Sequence, residues 1–307
     1  MSSHYDYHQP VMCQEAMEAL KIKPSGIYLD LTFGGGGHAC ALLEQLGPEG
    51  SLWAFDQDPD ALKQANQLKD SRFHFIQANF RYCSRFLHFF GITKVDGILV
   101  DLGVSSHQID TPERGFSTRF KGPLDMRMSC QGKRTAATLI KEYERKKLVD
   151  LFRRYGDLHN AHKLVACLRD GDRIPTTTQE LMSTITPLLP KQRSYQYAAK
   201  VFQALRIEVN DELGALRSLL EQLPLLLKPG GQVVFLTYHA GEDRLVKRFL
   251  RSGNFLGQAK KDPFGTLLRP LEPCQSKPLK PTLNEIVKNN RARSARLRSA
   301  IVPLKTL

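Results

Sequence analysis

The chain has 307 residues, enough to bury one or two hydrophobic cores. No run of 18 apolar residues interrupts it, which excludes a helical membrane span, and the opening stretch Met1-Ser-Ser-His-Tyr-Asp-Tyr-His8 lacks the apolar centre of a signal peptide. The six cysteines are scattered without C-x-x-C spacing, so neither a zinc site nor a disulfide framework is expected and a cytoplasmic protein is the default. The net charge of +13 is uneven. Residues 1–112 hold 8 basic and 13 acidic side chains, 113–173 hold 15 and 8, 174–246 hold 7 and 7, and 247–307 hold 14 and 3. An acidic first part with a basic middle and tail suggests a polyanionic partner, most simply nucleic acid.

In chain order, Ile27-Tyr-Leu-Asp-Leu reads as a short buried strand running into four glycines, Gly34 to Gly37. A helical pattern follows from His38 to Leu46, and then a second strand, Leu52-Trp-Ala-Phe-Asp56, ends in an acid. This is the opening unit of a nucleotide-cofactor fold. Glycines let backbone approach a ligand closely, and an acid at the second strand tip can accept both hydroxyls of a ribose. Gly34, Gly36 and Ala39 fit the dinucleotide pattern G-x-G-x-x-A, but the same unit suits S-adenosylmethionine, so the glycines alone leave the cofactor open.

Pro59 to Leu68 reads as a helix with proline at its start, and Arg72 to Ile76 as a third strand leading to Asn79 and Phe80. Val95 to Asp101 is a fourth strand, again ending in an acid. Strands alternating with helices predict a parallel sheet with its ligand at the carboxyl ends. The rhythm stops at Leu102. A loop to about Gln131 follows, carrying Arg114, Phe116, Met126, Arg127 and Met128, and its length and composition suggest a functional lid. Helical patterns cover 135–155, 159–170, 178–189 and 194–208, the last extending in broken form to Leu227. Gly230-Gly231 then precede an apolar strand, Gln232 to His239. Residues 253–285 are rich in Pro, Gly and Lys and read as irregular, and Ser294 to Ile301 alternates like a last strand.

These segments together resemble the bacterial 16S rRNA cytosine-N4 methyltransferase family. The matching stretches are His8-Gln-Pro-Val11, Tyr28 to His38, Asp56-Gln-Asp-Pro59, Asp96 to Ser106, Glu113-Arg-Gly-Phe116, Gly122 to Met128, Phe202 to Ile207 and Asn290 to Arg298. They run in order over almost the whole chain. The resemblance implies an α/β fold: a doubly wound, Rossmann-like class I methyltransferase sheet with an inserted helical domain. On this reading 1–108 and 209–307 form the methyltransferase domain with its basic tail, and 109–208 the inserted loop and helical substrate-recognition domain. It also implies an S-adenosyl-L-methionine-dependent enzyme that methylates the exocyclic amine of a cytosine in the decoding region of 16S rRNA. The small ribosomal subunit would be its partner.

By resemblance, Gly36, Gly37, His38, Asp56, Phe80, Asp101 and Gln108 contact the methyl donor. Asp56 suits ribose hydroxyls, Phe80 can stack on adenine, and Gln108 offers donor and acceptor atoms. The chemistry asks for an acceptor near the poorly nucleophilic amine. Asp101 is the first candidate, Ser105 or Ser106 could assist, and His239 at the fifth strand tip has a suitable unperturbed pKa. Arg114, Arg119, Lys121 and Arg127 are candidates for RNA phosphates, as are Arg291 and Arg293 of the tail. One departure stands out: the family usually carries His-Ser-Leu-Glu-Asp-Arg after the late strand, whereas this chain has His239-Ala-Gly-Glu-Asp-Arg244. Two rival classes remain, a non-catalytic ribosome-binding factor and an NAD-dependent oxidoreductase.

Overall fold

In the computed structural model the described residues are 10–132, 134–171, 173–265 and 267–304. The signal-peptide reading of Met1 to His8, and the first two residues of the His8-Gln-Pro-Val11 match, fall outside them. No described helix is long and apolar enough to cross a membrane.

The chain divides into two compact units, Met1–Gly103 with Gly214–Leu307, and Val104–Leu213. In the first, α1 (Cys13–Leu20) leads into β1 (Ile27–Asp30), α2 (Gly37–Leu43), β2 (Ser51–Asp56), α3 (Pro59–Ala65), β3 (Phe73–Gln77), α4 (Cys83–Phe89) and β4 (Val95–Asp101). The helices α5 (Ser106–Asp110), α6 (Ala136–Glu142), α7 (Arg145–Gly156), α8 (Ala161–Asp170), α9 (Thr178–Ile185) and α10 (Ser194–Asn210) follow. Then come α11 (Glu212–Leu226), β5 (Leu227–Thr237), α12 (Ala240–Ser252), β6 (Glu272–Pro273), α13 (Leu283–Lys288) and β7 (Arg296–Ile301).

The described strands form one sheet in the order β3-β2-β1-β4-β5-β7-β6. Pairings from β3 through β5 are parallel, and β7 runs antiparallel to both β5 and β6. Strand order reverses beside β1, between β2 and β4. In an open parallel sheet such a reversal opens a crevice at the carboxyl ends, where ligands bind. The central strand β4 is buried almost from end to end, as a strand covered on both faces must be.

Tyr28 shows how closely this sheet is fitted. Its ring is fully buried, and its hydroxyl accepts the Lys23 backbone N–H at 2.7 Å. The ring lies against Gly26 and Gly97; a Cβ on either would stand 2.6 Å from a ring carbon. Gly97 is Tyr28's register partner on β4, so a missing side chain there makes room for a large one on β1.

The second unit is helical and has its own core, including Leu124, Met126, Leu139, Phe152, Leu164, Leu181 and Val201. It begins at Val104, just past Gly103, whose φ of 105° turns the chain away from β4. Ser105, Ser106 and Gln108 therefore belong to this unit and not to the sheet unit that the sequence reading assigned them to.

Several elements depart from the sequence reading. The expected helix over 135–155 is two, because Tyr143 and Glu144 adopt extended ψ values of 141° and 148°. By contrast, the break expected within the helical pattern after Ser194 is present, at Asp211, which is left-handed with φ 47°. The supposed lid at 102–131 contains α5 and a 3₁₀ turn at Pro112–Arg114. Its Leu124 and Met126 are core residues, so this segment is packed down and not a free flap.

A Gly97→Ala substitution tests the fit around Tyr28. Overpacking of a tight core costs about 1–3 kcal/mol. Urea unfolding should show a lower midpoint with an unchanged slope, since the surface exposed on unfolding is the same. An unaltered midpoint would mean that Tyr28 can move aside.

Candidate active site

Three acids stand at the carboxyl ends of neighbouring parallel strands: Asp30 closes β1, Asp56 closes β2 and Asp101 closes β4. Apolar residues precede each of these acids, Leu29, Phe55 and Val100, so the parallel strands carry the three carboxyls to the same edge and largely out of bulk water. Burial is the largest cause of the upward pKa shift in all three.

Asp101 is pushed up to about 7 by burial, with the charge of Glu242 adding to the rise and a hydrogen bond from Tyr238 opposing it. Its side chain keeps 23% of its surface open, which limits how far burial alone can act. The Tyr238 hydroxyl donates to its Oδ1 at 2.8 Å, and His38 Nδ1 lies 3.6 Å from its Oδ2. Its backbone N–H donates to Thr32 Oγ1 at 2.6 Å, pinning the strand tip. Burial also raises the Tyr238 phenol well above its ordinary value, reinforced by Asp101, so Tyr238 remains a hydrogen-bond donor.

His38 is 6% exposed. Its Nε2 lies 3.0 Å from the Val11 carbonyl, which can only accept, so the proton sits on Nε2 and Nδ1 presents its lone pair toward Asp101. Burial lowers the His38 pKa despite the opposing influence of Asp30. The pair is a neutral imidazole facing a carboxyl that titrates near neutrality.

Asp56 is pushed up to about 6 by burial, opposed by backbone hydrogen bonds. Oδ2 accepts the Gly34 N–H at 2.8 Å and Oδ1 the Asp58 N–H at 2.9 Å. The acid thus braces the glycine turn, and each carboxylate oxygen has acceptor capacity beyond one bond. Gly36 caps α2 with φ 82°, and a Cβ there would meet the Phe33 ring at 2.8 Å. On Gly37 a Cβ would stand 3.2 Å from Pro10. Gly36 thus needs glycine for the turn itself, while at Gly37 a side chain would be tight against Pro10. Phe80 opens a 3₁₀ turn capped by Asn79 and remains partly exposed.

Asp30 was not among the residues expected from the sequence. It is 1% exposed, its Oδ1 accepts the Thr32 N–H at 3.1 Å, and its Oδ2 has no hydrogen-bond partner. Burial raises it to about 6, partly offset by His38. A usable signal was present: it is the third acid at a strand tip, but set in an apolar run it reads as part of the strand. Tyr238 carried no signal, being 137 positions from its partner.

Other expected site residues have internal tasks. His239 caps α12: its Nδ1 accepts the N–H groups of Gly241 at 3.1 Å and Glu242 at 3.4 Å. Its Nε2, 3.2 Å from Glu242 Oε1 without hydrogen-bond geometry, must then carry the proton. With its bare nitrogen already engaged, the imidazole is poorly suited to accept a proton from a substrate, which corrects that reading. Glu242 returns the cap by accepting the Tyr238 and His239 N–H groups, so the helix starts without the serine that this chain lacks.

In the helical unit, Ser105 and Gln108 form a reciprocal capping box on α5, and Gln108 is 4% exposed. Ser106 is the first residue of that helix. Arg127 grips Asp125 through two nitrogens and also bonds the Cys130 and Gly132 carbonyls. Arg114 donates to the carbonyls of Arg127 and Met128. These two arginines knit the loop together, an internal role that composition alone did not show. Arg119 and Lys121 are exposed. In the tail, Arg293 is exposed and Arg291 half-buried, while Arg298 and Arg296 pair with Asp243 at 2.8 and 2.9 Å.

A glycine turn braced by an acid, beside a buried anionic edge, fits a ribose-bearing cationic donor such as S-adenosylmethionine. The family match and the sequence relatives point the same way. The profile of the MraW methylase family matches residues 6–302. The chain is 53% identical over 294 residues to the ribosomal RNA small subunit methyltransferase H of Amoebophilus asiaticus, covering 95% of this chain and 94% of that protein. It is 49% identical over 298 residues to the protein of the same name from Christiangramia forsetii, covering 96% and 97%. A solved rRNA methylase from Streptococcus thermophilus aligns over 95% of this chain and 93% of its own, at 10% identity and a TM-score of 0.41. The chain belongs to the MraW methylase family.

Proposed function

We propose that this protein methylates the N4 amine of a cytosine in the decoding region of 16S rRNA, with Asp101 as the proton acceptor. Family membership makes it an S-adenosylmethionine-dependent rRNA methyltransferase. The target cytosine, the assembled small subunit as substrate and a cytoplasmic setting are part of the proposal. The two rival classes lose their ground: a nicotinamide enzyme is not favoured by the family, nor is a protein without catalysis.

The observation that carries the mechanism is the Asp101 carboxyl, held at a strand tip by Tyr238 and next to His38. The bound donor supplies an electrophilic methyl group. Asp56, Gly36, Gly37, His38 and Phe80 are the sheet-unit residues that would hold it. Cytosine's amine is a weak nucleophile because its lone pair is delocalised into the ring. Asp101, when ionised, accepts a hydrogen bond from one N–H and draws electron density back to nitrogen. The N4 lone pair forms the bond to the methyl carbon, the departing electron pair stays on sulfur, and the surplus N4 proton passes to Asp101. Tyr238 fixes the carboxylate's orientation, so positioning and proton acceptance act together. A base that is paired or stacked must be turned out to reach this edge.

Tritiated methyl transfer to 30S subunits lacking the modification, followed by nucleoside analysis, should yield N4-methylcytidine. In the same assay Asp101→Asn should lower saturated turnover by roughly 10²–10⁴-fold, the scale of general-base assistance. Because the free carboxyl titrates near 7, the parent kcat/KM should rise with pH and level off above about 7; the variant should lose that rise. Weakened donor affinity with normal saturated turnover would reduce Asp101 to a binding residue.

Arg119→Glu with Lys121→Glu should weaken RNA binding and flatten its salt dependence, since each lost phosphate contact removes released counterions. Donor binding, measured by calorimetry, should be unchanged. Arg127→Glu should instead lower the melting temperature, because it breaks the ties to Asp125 and two carbonyls.

A further inference from the structure

The first part of the chain is acidic, yet residues 69–94 hold five basic side chains, Lys69, Arg72, Arg81, Arg85 and Lys94, against one acid, Asp70. On the face of the sheet covered by α4, this segment also builds a ladder of rings. His74 of β3 stacks on Trp53 of β2, with centroids 4.2 Å apart and planes at 26°. Trp53 meets Phe90 at 4.9 Å, and Phe90 meets Phe89 at 5.1 Å. The ladder climbs from the sheet into solvent: Phe90 is 48% exposed and Phe89 81% exposed. On α4, Arg85 lies over the exposed ring of Tyr82, 5.6 Å from its centroid.

Exposed rings at the end of a helix normally cost solubility unless something covers them. Their setting says what. Aromatic faces interleaved with cations are how proteins hold single-stranded nucleic acid: bases stack on the rings and phosphates meet the charges. A protein partner would not call for the surplus positive charge. The place is also informative. Trp53 lies three residues before Asp56, about 10 Å back along β2 from the acid edge. Phe90 ends α4, just before β4 begins. The ladder thus sits toward the other end of the strands from the candidate active site.

We infer that the Trp53–Phe90–Phe89 ladder, with Arg85 and Lys94, is a second RNA-docking surface that grips a single-stranded segment of the substrate away from the target base. The inference rests on the RNA substrate proposed above. It explains how a chain whose cofactor edge is acidic can still hold a polyanion against this unit. A long substrate can engage both ends of the sheet, whereas an isolated nucleotide cannot.

Trp53 is the chain's sole tryptophan, so the surface carries its own reporter. The probe is a mixed-sequence, single-stranded oligoribonucleotide of about a dozen nucleotides, within the span of known single-strand sites. Titrating it into the full chain should quench the tryptophan emission. Phe89→Ala removes an exposed ring and should weaken that binding about tenfold, as loss of one base–aromatic stack would. Arg85→Glu should also flatten the salt dependence. Donor binding and thermal melting should not move in either variant. Absence of quenching, with equal RNA affinity in both variants and intact methyl transfer to 30S subunits, would overturn the docking surface and leave the proposed function standing. Failure of methyl transfer by the parent chain would strike the proposed function, while the oligoribonucleotide titration would still decide the ladder. A parent chain that sediments as a dimer and a Phe89→Ala chain that sediments as a monomer, with the same RNA affinity, would make the ladder a contact between copies and overturn the inference.

Discussion

The gathering of buried carboxyls at one edge of the sheet governs the rest of this structure. Asp30, Asp56 and Asp101 end three parallel strands, and the sheet order places those strands side by side. Burial raises the three to about 6, 6 and 7. An acid whose pKa rises on folding holds its proton more tightly when folded than when unfolded. The folded chain therefore carries more protons than the unfolded chain between about pH 4 and 7. Over that window these groups make the fold less stable as pH rises, and the cost is complete above it. Strand pairing, the Tyr238 and Thr32 hydrogen bonds and the braced glycine turn hold them in place against that cost. A cationic ligand at this edge would relieve it, which ties the cost of gathering these acids to the charge of the methyl donor.

That edge also divides the chemical labour. Asp56 is engaged by backbone and serves the shape of the glycine turn as much as any ligand. Asp101 is the acid whose neighbours are a phenol and a neutral imidazole, neither of which neutralises it as a cation would. It is left close to half-ionised at neutral pH, where a proton acceptor is most effective. His239 occupies the corresponding strand end on β5, yet its lone pair is committed to starting α12. The missing serine of the usual late motif leaves no gap in that cap, because His239 and Glu242 close it between them.

Much of this architecture was legible in the chain. Alternating apolar strands, the glycine turn after Leu31 and the acids at positions 56 and 101 mark a parallel sheet and its ligand edge, since each is a local signal. Asp30 escaped because a strand-end acid followed at once by Leu31 looks like strand. Tyr238 escaped because contact across the sheet leaves no trace in local spacing. The internal ties of the 114–127 loop arginines were hidden for a related reason: cations that tie down a loop and cations that await a phosphate have the same composition. Only the positions of Asp125 and the loop's own carbonyls separate Arg114 and Arg127 from Arg119 and Lys121. Met126 and Met128 looked like parts of a flap, but buried methionines are core filling first.

With pKa values near 6 to 7 the edge is a partly protonated carboxyl cluster, which should lose protons to a cationic ligand. Calorimetry of S-adenosylmethionine binding near pH 6.5, in buffers of different ionisation enthalpy, counts those protons directly. Net proton release is expected, larger than for S-adenosylhomocysteine, which lacks the sulfonium charge, and smaller in Asp101→Asn. Equal proton counts for the two ligands, or net uptake with S-adenosylmethionine, would contradict it.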